Sequence, residues 1–372
     1  MGDYTMKKYK MKREKNLYRI IAARDFGTVK KGDKGGLVQN KSNLSHDGNC
    51  WIGYNAKVLD QAQVFDNAIV GGYSRVVGDS QVFDNAVVRD DAIICDDARI
   101  GGNAIIEGNA QVFDNAFVEG HAIIRGKGIV RGNAQVRGNV IVEDNAVVRG
   151  SANVYDNATV HDVACVSGHA RVHGSANISE KALVCGNAEV EGNATVRGSV
   201  IIEGVAKVFD NAIVEGNTSV CGYARVHGNA CISGDAIVEG HAIIRGKGIV
   251  RGTAIIEGNA ILEGTARVTG HVKVRGNAVV RDNALADGTA IIEGNAILEG
   301  TSRVIRGVHN SKVPYIKGTD YTATVDGEYI NIHNTSARPE EWPAILDKWD
   351  IPMRQKAEYR GIILFLKNTY MS

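Results

Sequence analysis

Between residues 52 and 304 an aliphatic residue returns every six positions without one insertion or deletion; all 43 such positions hold Val, Ile or Leu except Ala286. Four residues after each of them stands Ala, in 33 of 42 repeats, with Ser, Thr, Gly or Val in the others. Side chains alternate faces along a strand, so a unit such as Val-Glu-Gly-Asn-Ala-Ile places Ala and the next aliphatic residue inward, with one outward residue between them. The two remaining positions must turn the chain. The first is Gly in 29 of 42 repeats and Asp in 11, and the second is most often Asn. Because Gly and Asn both tolerate positive φ, the pair is expected to share a sharp bend.

Three strands and three bends close a triangular coil of 18 residues, and stacking such coils at strand spacing gives about 14 coils and a rod on the order of 67 Å. The expectation is an all-β solenoid, a parallel β-helix. Inward Val and Ile pile on their counterparts, each contributing about 1.5–3 kcal/mol when fully buried. Reading every eighteenth residue tests the triangle. One column runs Asn67, Asn85, Asn103, His121, Asn139, Asn157, and another runs Arg89, Glu107, Arg125, Glu143. Stacked amides and alternating charges are what in-register parallel stacking favours.

An aliphatic residue every six with a small residue four later resembles the hexapeptide-repeat superfamily of left-handed parallel β-helices. The left hand comes from that resemblance, since the general crossover rule favours the other. Ahead of the repeat, Arg24-Asp25-Phe26-Gly27, Gly35-Gly36-Leu37-Val38 and Asn43-Leu44-Ser45 before Cys50-Trp51 resemble the N-terminal region of YdcK-type hexapeptide proteins of bacteria and phages, called transferases on the strength of their repeat. The resemblance implies a homotrimer. For an enzyme it implies acyl transfer, with a His as general base between subunits and a loop thrown out of the coil to hold the acyl carrier. No such loop interrupts residues 52–304.

Three segments follow. Residues 1–51 form a basic segment and small β cap, with 12 Lys and Arg against 5 Asp and Glu; residues 52–304 are the β-helix, with 22 against 29; residues 305–372 are a small α+β cap. In the last of these, residues 321–325 and 329–333 read as a hairpin turning at Asp326-Gly327. Helices are expected to start at Pro339 and Pro352, the second capped by Asp350. Trp342, Ile345, Leu346, Trp349, then Tyr359, Ile362, Ile363 and Leu366 fall at helical spacing.

A net charge of +1 argues against nucleic acid as a partner, and no run reaches transmembrane length. The basic stretch 7–15 leads only into residues 17–23, broken by Arg19, so no signal peptide is expected, and Met6 stands where myristoylation wants Ser or Thr. Six cysteines without CxxC spacing point to reduced thiols in the cytoplasm.

Candidate chemistry rests on histidine. His121, His169, His241 and His271 occupy the Asn position of the bend, where His is another residue enriched at positive φ. His161, His173 and His227 point outward from strands and are the candidate catalytic residues. No metal site is expected, because His161, His169 and His173 fall in three different columns. No cofactor is expected either. His46 lies in the N-terminal segment as a turn residue, with a ligand or a base as the alternatives, and Gly126-Lys-Gly-Ile-Val-Arg-Gly132 has the wrong spacing for a phosphate loop.

Residues 118–132 recur identically at 238–252, an offset of twenty hexads that is not a multiple of three, so the copy starts on a different face. Coil formation, more than any face-specific site, is what the repeat preserves. Outward columns nevertheless carry Ile93, Ile129, Val147, Leu183, Ile201, Ile237, Ile255 and Ile291, and Ile69, Val87, Ile105, Ile123, Ile141, Ile213 and Ile249. Apolar stripes of that length suit an oligomer interface. The expectation is a non-catalytic structural or binding solenoid, homo-oligomeric and favouring a trimer, with an acyltransferase as the alternative; no membrane partner is expected and no small-molecule ligand is named.

Overall fold

The computed structural model describes residues 7–371, so Met1, Gly2 and Met6 lie outside the described residues. The chain forms two compact units, Met1–Asn193 and Ala194–Ser372.

Both units contain parallel β-solenoid. Each hexad supplies a strand of two residues, and its neighbours in the sheet lie 18 residues before and after. In the first unit Val87–Val88 pairs with Ile69–Val70 and with Ile105–Ile106. In the second, Ile237–Val238 pairs with Ser219–Val220 and with Ile255–Ile256. The strands are short, but hydrogen bonding continues past their ends: the Ile69 N–H donates to the Ala86 carbonyl at 2.9 Å, Gly71 to Val88 at 2.7 Å and Asn67 to Asp84 at 2.8 Å. Within each unit, successive coils are thereby tied through both the strands and the bends.

The inward Ala and Val or Ile side chains are fully buried from Ile52 to Val304, with exposures of 0 or 1%. Where Ser or Thr replaces Ala, the hydroxyl turns back on its own bend. Ser74 donates to the Gly71 carbonyl at 2.6 Å, Ser80 to Val77 at 2.8 Å and Thr218 to Glu215 at 2.7 Å. At these three positions the buried hydroxyl is satisfied locally, which is why the substitution is tolerated, whereas the buried Ser302 hydroxyl has no hydrogen-bond partner.

The bends differ from expectation. Positive φ falls on the first bend residue alone, as at Asp84 (55°) and Gly102 (64°), and none of Asn67, Asn85, Asn103 or His121 adopts it among the described residues. The physical reason is visible one coil away. An Asp at the first position accepts the backbone N–H of the bend stacked on it: Gly102 donates to Asp84 at 2.8 Å, Gly108 to Asp90 at 3.0 Å, Gly132 to Asp114 at 2.9 Å and Gly228 to Asp210 at 3.0 Å. Gly meets the backbone demand by lacking Cβ, and Asp meets it by gaining a hydrogen bond. Asn at the second position builds the amide ladder instead, with Asn67 donating to Asn85 at 3.2 Å, Asn139 to Asn157 at 2.9 Å and Asn259 to Asn277 at 3.0 Å.

Before the first coil, β1 (Tyr9–Glu14), β2 (Leu17–Ala22) and β3 (Lys34–Val38) form an antiparallel meander. The basic stretch 7–15 is therefore largely strand. Leu37 and Val38 of β3 pair in parallel with Lys57 and Val58, covering an edge of the first coil that would otherwise be open. Lys8 is buried here, its ammonium donating to the carbonyls of Asp47 (3.1 Å) and Gly48 (3.3 Å) and to Cys50 Sγ (3.1 Å).

After Val304, Tyr315–Lys317, Thr322–Asp326, Tyr329–Ile332 and Thr335–Ala337 make a four-stranded antiparallel sheet that includes the expected hairpin. Two helices pack on it, α1 (Trp342–Lys348) and α2 (Met353–Tyr370). Trp342, Leu346, Tyr359, Ile363 and Leu366 are buried together, with Ile345, Trp349 and Ile362 packed around them. Two start signals read differently in the fold: Pro339 precedes α1, which carries Pro343 in its first turn, and α2 begins after Pro352 with no side-chain cap from Asp350. Asp326, fully buried, accepts from the Ile305 N–H at 2.8 Å and Asn331 Nδ2 at 2.9 Å and lies 3.0 Å from His309 Nε2. It joins this sheet to the end of the repeat.

Candidate functional site

Stacking decides what surrounds each outward histidine, because the residues 18 before and after it are its neighbours. His161 and His173 follow the strands Thr159–Val160 and Arg171–Val172, which belong to different sheets. His227 follows Arg225–Val226 in the second unit. The three candidates therefore occupy separate environments.

His161 sits between two polar partners, its Nε2 3.1 Å from Asn177 Oδ1 and its Nδ1 3.1 Å from Asp162 Oδ2. His227 stacks on Phe209 with ring centroids 4.4 Å apart, and its Nδ1 is 3.7 Å from Asp210. Burial against that ring holds its pKa below the ordinary value, and the nearby Asp210 only partly offsets this. His46, stacked on Tyr9 and accepting the Lys8 backbone N–H at Nδ1, is likewise held low by burial and by the Lys8 charge.

His173 has the richest surroundings. Its ring stacks on Tyr155 at 4.5 Å, leaving the side chain 16% exposed. Nε2 faces two carboxylates, Glu189 Oε1 at 3.3 Å and Glu191 Oε2 at 3.5 Å, while Nδ1 faces Asp156 Oδ2 at 3.9 Å. Glu189 is itself buried, and its Oε1 also pairs with Arg171 at 2.7 Å. A carboxylate oxygen carries two lone pairs, so the guanidinium and the imidazole can share it. Burial, with a smaller contribution from the same carboxylates, holds the Tyr155 phenol above its ordinary pKa, against the pull of Arg171.

Sequence reading compared histidines with histidines and so missed these partners. The signal was present in the 18-residue columns: Tyr155, His173 and Glu191 are one column, and Arg171 and Glu189 are consecutive members of the adjacent one. Within the first unit this sheet differs from the two carrying aliphatic stripes, although in the second unit it carries Ile243, Ile261, Val279 and Ile297. Along it Phe65 stacks on Phe83 at 5.4 Å, and the Arg99 guanidinium lies 5.5 Å from Phe83 and 5.4 Å from Phe117. Gly101 makes room for this arrangement, since a Cβ there would meet the Phe83 ring at 2.5 Å. Beside the His173 cluster a groove of about 390 Å³ is lined by Gln135, Arg137, Asn153, Tyr155, Asp156 and Arg171, among others.

Elsewhere the outward charges pair with each other coil by coil. Arg125 meets Glu143 at 2.5 Å, Arg245 meets Glu263 at 2.5 Å and Arg275 meets Glu293 at 2.5 Å. The aliphatic columns are partly covered by their own neighbours, with Ile69, Ile201, Ile213 and Ile237 the most exposed members at 45, 40, 39 and 37%. Cys50, Cys95, Cys165, Cys221 and Cys231 are in no disulfide. No helix among the described residues is long and apolar enough to cross a membrane. No protein-family model matches the chain, and no curated protein matches it.

Proposed function

We propose that the chain is a non-catalytic structural and binding solenoid of the hexapeptide-repeat, YdcK-like type, assembling as a homo-oligomer through its outward aliphatic columns. The observation that carries this reading is the contrast between outward positions. Paired Arg and Glu and stacked Asn side chains satisfy one another from coil to coil, whereas Ile69, Ile201, Ile213 and Ile237 stay 37 to 45% exposed after stacking and would bury the rest only against a partner. A parallel trimer is the favoured assembly, with the two ends as further partner surfaces and the cytoplasm as the compartment. Light scattering at micromolar concentration tests it: a trimeric mass is expected, and a monomeric mass overturns the assembly. Ile213→Lys should lower the mass if the column is buried between copies.

One observation favours the alternative of acyl transfer. The carboxylate-paired His173 has the arrangement of a general base held by an acid. Calorimetry with acyl-CoA separates the two readings, since saturable binding that disappears in His173→Ala, and not in His161→Ala or His227→Ala, would replace the scaffold reading with an enzyme.

A further inference from the structure

We infer that His173, Glu189 and Glu191 form a binding site for a divalent transition cation of the zinc class, built across two successive coils on one face of the first unit. Each residue turns one ligand atom toward the others, and the three atoms lie within 4.8 Å of one another. The two distances from His173 Nε2, 3.3 and 3.5 Å, match the edge of a tetrahedron. Ligands bonded at about 2.1 Å to a tetrahedral cation are about 3.4 Å apart.

The surroundings of the ring fit the same assignment. A cation that displaces the proton shared between Nε2 and Glu189 would lie between the imidazole and two carboxylate oxygens, with Asp156 Oδ2 on the Nδ1 side of the ring at 3.9 Å. A carboxylate behind the metal-binding imidazole is the arrangement that orients a ligating histidine. Stacking on Tyr155 fixes the ring plane, and Arg171 holds Glu189 while leaving it a lone pair to donate.

One nitrogen and two oxygens suit zinc or cobalt, whereas magnesium and calcium want about six or more oxygens. Three protein ligands leave a fourth position open. That position would be filled by water in the absence of another ligand.

A second set, Asp144, His161 and Asp162, also converges within 4.8 Å. Its carboxylates serve the bends, however: Asp144 accepts from the Asp162 N–H and Asp162 from the Glu180 N–H, at 3.3 and 2.9 Å. That set therefore provides the control. Zn²⁺ alone is titrated into the full chain against a chromophoric chelator, with Co²⁺ in a parallel titration followed by its visible spectrum.

The wild type should take up one equivalent of either metal, with the intense absorption of tetrahedral Co²⁺. His173→Ala and Glu191→Gln should each lose that equivalent while keeping the far-UV spectrum of the folded solenoid. Asp156→Asn should weaken binding about 10–100-fold, and His161→Ala should leave it intact. Three results each overturn the assignment: no bound equivalent in the wild type, wild-type binding in both ligand variants, or loss in His161→Ala instead. Displacement of Zn²⁺ by equimolar Ca²⁺ would overturn the zinc class.

Discussion

At the scale of single residues, the bends show how one position can be filled by two chemically unlike side chains. Asp84 holds φ at 55° and accepts the Gly102 N–H at 2.8 Å. Asp84→Ala keeps the left-handed strain and loses the bond, so destabilisation of about 2 kcal/mol is expected in denaturant unfolding. Asp84→Gly loses the bond but also the strain, and should fall below about 1 kcal/mol. Equal effects of the two changes would show that the carboxylate bond is irrelevant. His227 supplies a pH prediction. Its folded pKa is depressed by burial against Phe209. The neutral ring is therefore favoured by folding, so its contribution is complete above the unfolded value near 6.5 and is lost as pH falls toward the folded value. NMR titration should find His227 changing charge below 6.5, and His227→Gln should lose less Tm than the wild type between neutral and mildly acidic pH.

At the scale of elements, the ends of the repeat are where the chain departs from its own rule. A last coil presents unpaired backbone groups, and the C-terminal sheet meets them through Asp326, whose carboxylate receives the Ile305 N–H and Asn331. Asp326→Ala would leave several buried donors without an acceptor, and a loss of about 3 kcal/mol is expected for the C-terminal element. Trp342, buried beneath the sheet with its indole N–H donating to Ile330 at 3.1 Å, reports on it. Its fluorescence should shift to longer wavelength at lower denaturant in the variant than in the wild type. The helical core was readable from spacing, since Trp342, Leu346, Tyr359, Ile363 and Leu366 all lie inside. The helix starts were not, because Pro339, Asp350 and Pro352 are each compatible with several local conformations and the packing of α1 and α2 on the sheet selects among them.

At the scale of the whole molecule, the coil is a modular unit, and deletions of whole coils should be tolerated. Charge stacking refines this. Removing residues 105–140, two coils, places Glu143 where Glu107 stood and keeps Arg89 above a carboxylate. Removing only residues 123–140 leaves Glu107 against Glu143, a like-charge contact. Both proteins should fold by far-UV circular dichroism, with the two-coil deletion the more resistant to heat of the pair. Removing a single hexad, residues 123–128, instead rotates every later face by one side of the triangle and breaks all the columns that cross the junction. If that protein melts no earlier than the one-coil deletion, the columns contribute little to stability.

The sequence alone determined the solenoid, its coil length, the inward residues and the charge and amide ladders. All of these follow from a backbone that alternates sides and repeats every eighteen residues, so local order dictates them. Only the tertiary structure decided which bend residue takes the positive φ, how the two ends meet the first and last coils, and which outward groups share a site. Tyr155, Asp156, Arg171, His173, Glu189 and Glu191 are separated by up to 36 residues along the chain, yet parallel stacking sets them side by side. Hexad position does not distinguish His173 from His161 or His227. What distinguishes it is the identity of the residues one coil away, Tyr155 on one side and Glu191 on the other.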